Sequence, residues 1–165
     1  MTRTNGLMAL ALLCCSAVAT ASVAKPKAAP APPGCSRSTK KCLVDIAVSG
    51  SPGSYIVTFN PDELHVKQSE RRKTYLIVFR LPDTYKFKPA QGDGVFFKVD
   101  DKGEFHSGGP SDEEGNPASS ASASKRYKWV YRNLVDGRYD YKVQFRDQAE
   151  NVITGDPLIT NIDTQ

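Results

Sequence analysis

Few residues of this chain can do chemistry. Histidine occurs twice, at His65 and His106. A serine or cysteine nucleophile needs a base beside it, and no Gly-x-Ser-x-Gly turn or similar arrangement offers either histidine that role. His65, between Leu64 and Val66, reads as a solvent-facing strand residue. His106 borders Ser107-Gly108-Gly109 with nothing in the sequence to partner it. Gly92-Asp93-Gly94 is too short to cradle a phosphate and reads as a hairpin turn. The expectation is a protein without catalytic residues and without a cofactor.

Two other constellations carry chemical possibilities. Asp93, Asp100, Asp101 and the run Asp112-Glu113-Glu114 lie in turn-rich stretches, the oxygen-rich setting that calcium prefers. Turns also take aspartate for backbone reasons, and no D-x-D-x-D-G loop is present. A calcium module is therefore an alternative, with no metal ligand assigned. Tyr127, Trp129 and Tyr131 alternate along one segment and so share a strand face, as a ladder with steps of about 6.6–6.8 Å. Left open to solvent, such rings stack sugars, which makes these three the candidate ligand-binding residues. Turned inward, they join a core with Tyr139, Tyr141 and Phe145 of the following segment, the reading favoured for Trp129.

The elements that must position these side chains are strands. Cys42, Val44, Ile46 and Val48 alternate with Leu43, Asp45 and Ala47, and Tyr55, Val57 and Phe59 alternate with Ile56 and Thr58. Residues 74–81 are apolar on both faces, as in a central strand. Val95, Phe97 and Val99 follow, then the ladder, then Tyr139, Tyr141, Val143 and Phe145, then a last pair at 152–153 and 158–162. Residues 107–124 contain little that could be buried and read as a long low-complexity loop. No useful helical stripe appears. Turn signals at this spacing mean an all-β sandwich of about seven to nine strands.

Ahead of that body, residues 1–24 have the layout of a secretory signal peptide: Arg3, an apolar run from Leu7 to Val18, and small residues through Ala24. A lipoprotein signal is excluded because Leu13 precedes Cys14 and Cys14 precedes Cys15. Residues 25–34 form a Pro/Ala-rich linker, and the folded domain spans 35–165. The expected product is exported, to the periplasm or beyond, with no membrane span once the leader is gone. Four cysteines become two, and in an oxidising compartment Cys35 and Cys42 form one disulfide. Its short loop gives a stabilisation of roughly 2–3 kcal/mol. The whole chain carries 22 basic and 18 acidic residues, and cleavage removes only the basic Arg3. The two signs are interspersed, and Arg71-Arg72-Lys73 and Lys125-Arg126 border turns as solvated loops. No nucleic-acid partner is expected.

Leu134-Val-Asp136-Gly137-Arg-Tyr139-Asp-Tyr141-Lys-Val143, with Asp147, Asn151-Val152 and Asp156-Pro157, resembles the last strands of immunoglobulin-like and fibronectin type III-like domains. The resemblance implies a tyrosine corner at Tyr139, a structural role. Phe59-Asn-Pro61-Asp-Glu-Leu64-His-Val66, with residues 74–81 and Tyr85-Lys-Phe87, is similar to the opening of a cupredoxin-type sandwich. A blue-copper site needs two His, a Cys and usually a Met late in the chain. Here the mature cysteines are at the start, and Met1 and Met8 leave with the leader, so the likeness implies a copper-free scaffold. The functional expectation is an exported, non-enzymatic structural or interaction module with an unknown protein or glycan partner. A carbohydrate-binding module built on the aromatic ladder, or a calcium module, is the alternative.

Overall fold

The alternating segments become strands because period-2 patterning lets each one bury a single face while its backbone pairs with a neighbour. The computed structural model describes residues 34–66, 71–100, 102–119 and 121–161. The expected leader and the linker as far as Pro33 lie outside these residues. The strands are β1 (Gly34–Ser36), β2 (Lys41–Ser49), β3 (Ile56–Asn60), β4 (Glu63–His65), β5 (Tyr75–Arg80), β6 (Gly94–Phe97), β7 (Phe105–Pro110), β8 (Arg126–Tyr131), β9 (Gly137–Arg146), β10 (Val152–Gly155) and β11 (Leu158–Asn161). No α-helix occurs among the described residues.

These strands form two sheets. The larger has the order β1-β2-β5-β8-β7, with β3 also paired to β2. The smaller joins β10, β9, β11 and β4, with β6 also paired to β9. β2 runs parallel to β5, and β11 parallel to β4, while every other strand pairing is antiparallel. β10 and β11 hold one common register on β9, Gly155 facing Val143 and Leu158 facing Asp140. Asp156 and Pro157 thus interrupt one hairpin arm, since proline cannot donate to the ladder. Short pieces such as this raise the strand number above the expected seven to nine. The all-β sandwich itself is as expected.

The sheets meet through aromatic rings. Phe97 of the smaller sheet stacks on Phe105 at 3.5 Å between centroids, and Phe105 stacks on Tyr131 at 4.8 Å. Phe79 meets Tyr141 edge-on at 5.3 Å, and Phe87 lies between Tyr127 and Phe145. The Trp129 indole N–H donates to the Val95 carbonyl at 2.9 Å, a polar tie between the sheets. At the edge, Cys35 faces Cys42 across the β1–β2 pairing, and the two form a disulfide.

The sequence around 107–124 folds differently from expectation. Residues 107–110 belong to β7, with a bulge between His106 and Gly109. Beyond Ser111 the chain turns back over the outer face of the larger sheet. Asp112 accepts from the Asn116 backbone and side chain at 2.8 and 2.9 Å, shaping the turn. Lys41 Nζ donates to the Glu113 carbonyl at 2.7 Å, and Arg126 pairs with the Glu113 carboxylate at 2.9 Å. Gly115 is pressed against Leu76 and Val78, the outward apolar residues of β5. Cover on this face is why β5 is apolar on both sides, a correction to reading the segment as a loop with nothing to bury. The Gly92 turn also differs. It caps a 3-10 turn at Pro89–Gln91 in the left-handed region, and the strand after it pairs with β9, not with a hairpin partner.

Gly115 combines φ of +90° with a Cβ position that overlaps Leu76 Cδ2. Gly115→Val is expected to lower stability by about 1–3 kcal/mol, from backbone strain and overpacking together. Urea unfolding measures this, and an unchanged midpoint would mean that the segment does not cover β5 in solution.

Candidate functional site

Strand directions gather particular connections at one end of the sandwich. β2 and β5 begin there, and antiparallel β8 ends there, because Tyr131 faces Tyr75. β7 begins there too, since Phe105 also faces Tyr131. The residues 37–40, 71–74, 102–104 and 132–136 therefore share this end.

Glu104 organises it. The residue is fully buried, and its backbone N–H donates to the Asp100 carboxylate at 2.7 Å. Its carbonyl accepts from the Arg132 N–H at 2.8 Å, and its Oε2 accepts from the Leu134 N–H at 2.9 Å. Oε1 is buried without a hydrogen-bond partner. The 132–134 loop held in this way in turn holds the 71–74 loop. The Asn133 carbonyl accepts from the Arg72 N–H at 2.8 Å, and the Leu134 carbonyl from Arg71 Nε at 2.9 Å. Arg72 and Asn133 both take left-handed backbone conformations, φ 65° and 51°, to make this junction.

Arg71, Arg72 and Arg132 are thereby fixed on two adjoining loops with exposed side chains. Among the described residues no salt bridge engages any of the three. The buried Glu104 carboxyl thus lies beneath loops that carry four basic residues, Arg71, Arg72, Lys73 and Arg132. Guanidinium groups present planar, paired donors suited to phosphate or carboxylate oxygens, so this end can bind an anionic surface.

The opposite end is neutralised internally. Asp93 pairs with Arg146 at 3.1 Å, Glu150 with Lys88 at 2.6 Å and Lys86 at 3.4 Å, and Asp83 with Lys125 at 2.7 Å. The Tyr55 hydroxyl donates to the Asp147 carboxylate at 2.6 Å, and Asn151 donates to the same carboxylate from its backbone and amide. These bonds, Tyr55 first, hold the Asp147 carboxyl below the usual aspartate range. The bond to Asp147 also pushes the Tyr55 hydroxyl up to about 12. Two shallow depressions of ≈ 200 and ≈ 250 Å³ flank Tyr85 here, sharing Thr84, Tyr85 and Gln148.

The residues expected to bind ligand lie elsewhere. Tyr127 and Tyr131 are buried, and Trp129 packs against the core with its ring edge-on to Phe97. The two tyrosine rings are packed by Phe87, Phe105 and Tyr139, and Trp129 is half-buried beside Phe97. Tyr139 is buried among Phe105 and Tyr131, its ring folded back over Gly137. His65 is exposed, 3.6 Å from the Glu63 carboxylate. His106 is half-buried on β7, with Nδ1 unpartnered. Asp100 and Asp112 are turned to backbone N–H groups, and among the described residues no three potential ligands gather for a metal. Asp101 lies outside the described residues. Sequence reasoning singled out the Arg71-Arg72-Lys73 run but could not join it to Arg132, and it missed Glu104 altogether. A lone acid before an apolar strand gives no sign that it will be buried.

The sequence matches no family model and no curated protein.

Glu104→Ala is expected to cost about 1–3 kcal/mol, because the Leu134 N–H loses its acceptor. Glu104→Gln, which keeps an acceptor oxygen, should cost less. Equal urea midpoints for the two variants would argue against the carboxylate holding the loop. The Tyr55–Asp147 pair gives a second expectation, in pH. Its stabilisation is complete above about pH 4 and fades as pH falls toward the lowered Asp147 value. It is also complete below about pH 10 and is lost as pH rises toward the raised Tyr55 value. The urea-midpoint difference between wild type and Tyr55→Phe should form a plateau between these limits, and a flat profile through pH 11 would contradict the bond.

Proposed function

We propose that the protein is an exported, non-enzymatic interaction module that docks to its partner through the arginine-bearing end. The observation that carries this reading is the fixing of Arg72 by its backbone N–H and of Arg71 by its Nε to the loop that bears Arg132, with no salt bridge to any of the three among the described residues. Assembling like charges on a rigid surface costs stability, and an external partner of opposite charge recovers it. The leader-like segment at residues 1–24 and the Cys35–Cys42 disulfide support export to an oxidising compartment. We read the sandwich as an immunoglobulin-like or copper-free cupredoxin-like scaffold, on the residues that resemble those families.

Photo-cross-linking from position 72 and from position 148 tests the reading in the cell of origin. A partner adduct from position 72 and not from 148 is the expected result. Adducts only from 148 would move the site to the other end and favour a second reading, a glycan partner stacked on Tyr85, whose ring stands between the two depressions. Turnover of any substrate that single replacement of His65 or His106 abolishes would overturn the non-enzymatic assignment.

A further inference from the structure

The arginine-bearing end also carries the exposed apolar side chains Val99, 66% exposed, and Leu134, 40% exposed. Both flank the buried Glu104. Val99 precedes Asp100, whose carboxylate takes the Glu104 and Phe105 N–H groups at 2.7 and 3.0 Å, and the Leu134 N–H donates to Glu104 Oε2. The same end carries Arg71, Arg72, Lys73, Lys102 and Arg132, all exposed. Of the acids at this end among the described residues, Asp100 is turned to backbone N–H groups, Glu104 is buried, and Asp136 is exposed. A single exposed apolar residue is ordinary on any protein. Two of them on segments bonded to Glu104, at an end that also carries several exposed cations, are a different case.

We propose that this end is a peripheral membrane-docking face that settles on the headgroups of a bilayer rich in anionic phospholipid. The proposal rests on reading the same end as the docking face. Cations close to an anionic leaflet are drawn to its negative surface potential. Apolar side chains among them gain by entering the boundary between headgroups and acyl chains. A soluble polyanion would use the arginines and lysine but would gain nothing from Val99 or Leu134. The apolar pair is what selects a lipid surface over a free polymer. Nothing here requires a membrane span, and no helix among the described residues is long and apolar enough to make one.

Vesicle flotation tests the proposal, using protein processed by its host and shown by mass spectrometry to have lost residues 1–24. Vesicles of equimolar phosphatidylglycerol and phosphatidylcholine should carry the protein at about 0.1 M salt, and phosphatidylcholine vesicles should not. Arg132→Gln and Lys102→Gln should each weaken partitioning about five-fold. Val99→Ser with Leu134→Ser should weaken it at unchanged charge, while Tyr85→Ala at the opposite end should leave it unaltered. Circular-dichroism melting establishes that every variant is folded. Equal binding to both vesicle types, or no binding to either, would overturn the proposal. So would binding by the serine double variant equal to wild type, with dextran sulfate bound as tightly, since that outcome assigns the face to a soluble polyanion. Failure on vesicles alongside a position-72 adduct to a protein would overturn the lipid assignment and leave the docking face standing.

Discussion

The stack of Phe97 on Phe105 and of Phe105 on Tyr131 is the contact on which the rest of the sandwich depends. It passes from the smaller sheet to the edge strand of the larger one and then to that edge strand's neighbour. Aromatic pairs contribute through buried area and through preferred ring geometry, so a run of them sets both the spacing of two layers and their rotation. Tyr139 abuts two members of the stack edge-on, and Trp129 closes against Phe97 while bonding the Val95 carbonyl. Tyr127 and Tyr131 are buried by this packing, and Trp129 is left half-buried at its margin. One constraint thus makes the core and takes most of the ladder into it.

The same stack explains the end that remains available. Phe105 and Tyr131 are the residues next to Glu104 and Arg132, so fixing the rings fixes the backbone from which the 102–104 and 132–134 loops leave their strands. A carboxylate immediately beside this ring layer is buried whether or not burial suits it. Glu104 meets that situation by capping the Leu134 N–H and leaving its other oxygen unpartnered. Buried polar groups are retained at a cost in stability unless they organise something. Here the thing organised is a pair of loops that hold three guanidinium groups together.

The sequence made the layers legible because period-2 alternation is a local signal, and so is a cysteine pair seven residues apart. The segment after β7 was not legible. Gly115 contributes to the core by having no side chain, as a backbone lid on Leu76 and Val78. Hydrophobicity along the chain does not record burial achieved by a glycine. The double-sided apolar character of residues 74–81 was the available clue, since a central strand must be covered on both faces by something. The charge pattern failed to show for a related reason. Basic and acidic residues are interspersed along the chain in short runs, so the net charge looks ordinary. Parallel pairing of β2 with β5, and antiparallel pairing of β8, then sort the connections by end.

That sorting gives the molecule a polarity that its composition conceals. At the Tyr85 end, acids meet bases in pairs and cancel close to their source. At the Glu104 end, two of the described acids, Asp100 and Glu104, accept from backbone N–H groups. Those bonds are made by their carboxyl oxygens, while the side chains of Arg71, Arg72 and Arg132 stand in solvent. Loop capping and surface charge are therefore one device at this end. Asp100 and Glu104 shape the loops, and among the described residues neither forms a salt bridge with Arg71, Arg72 or Arg132.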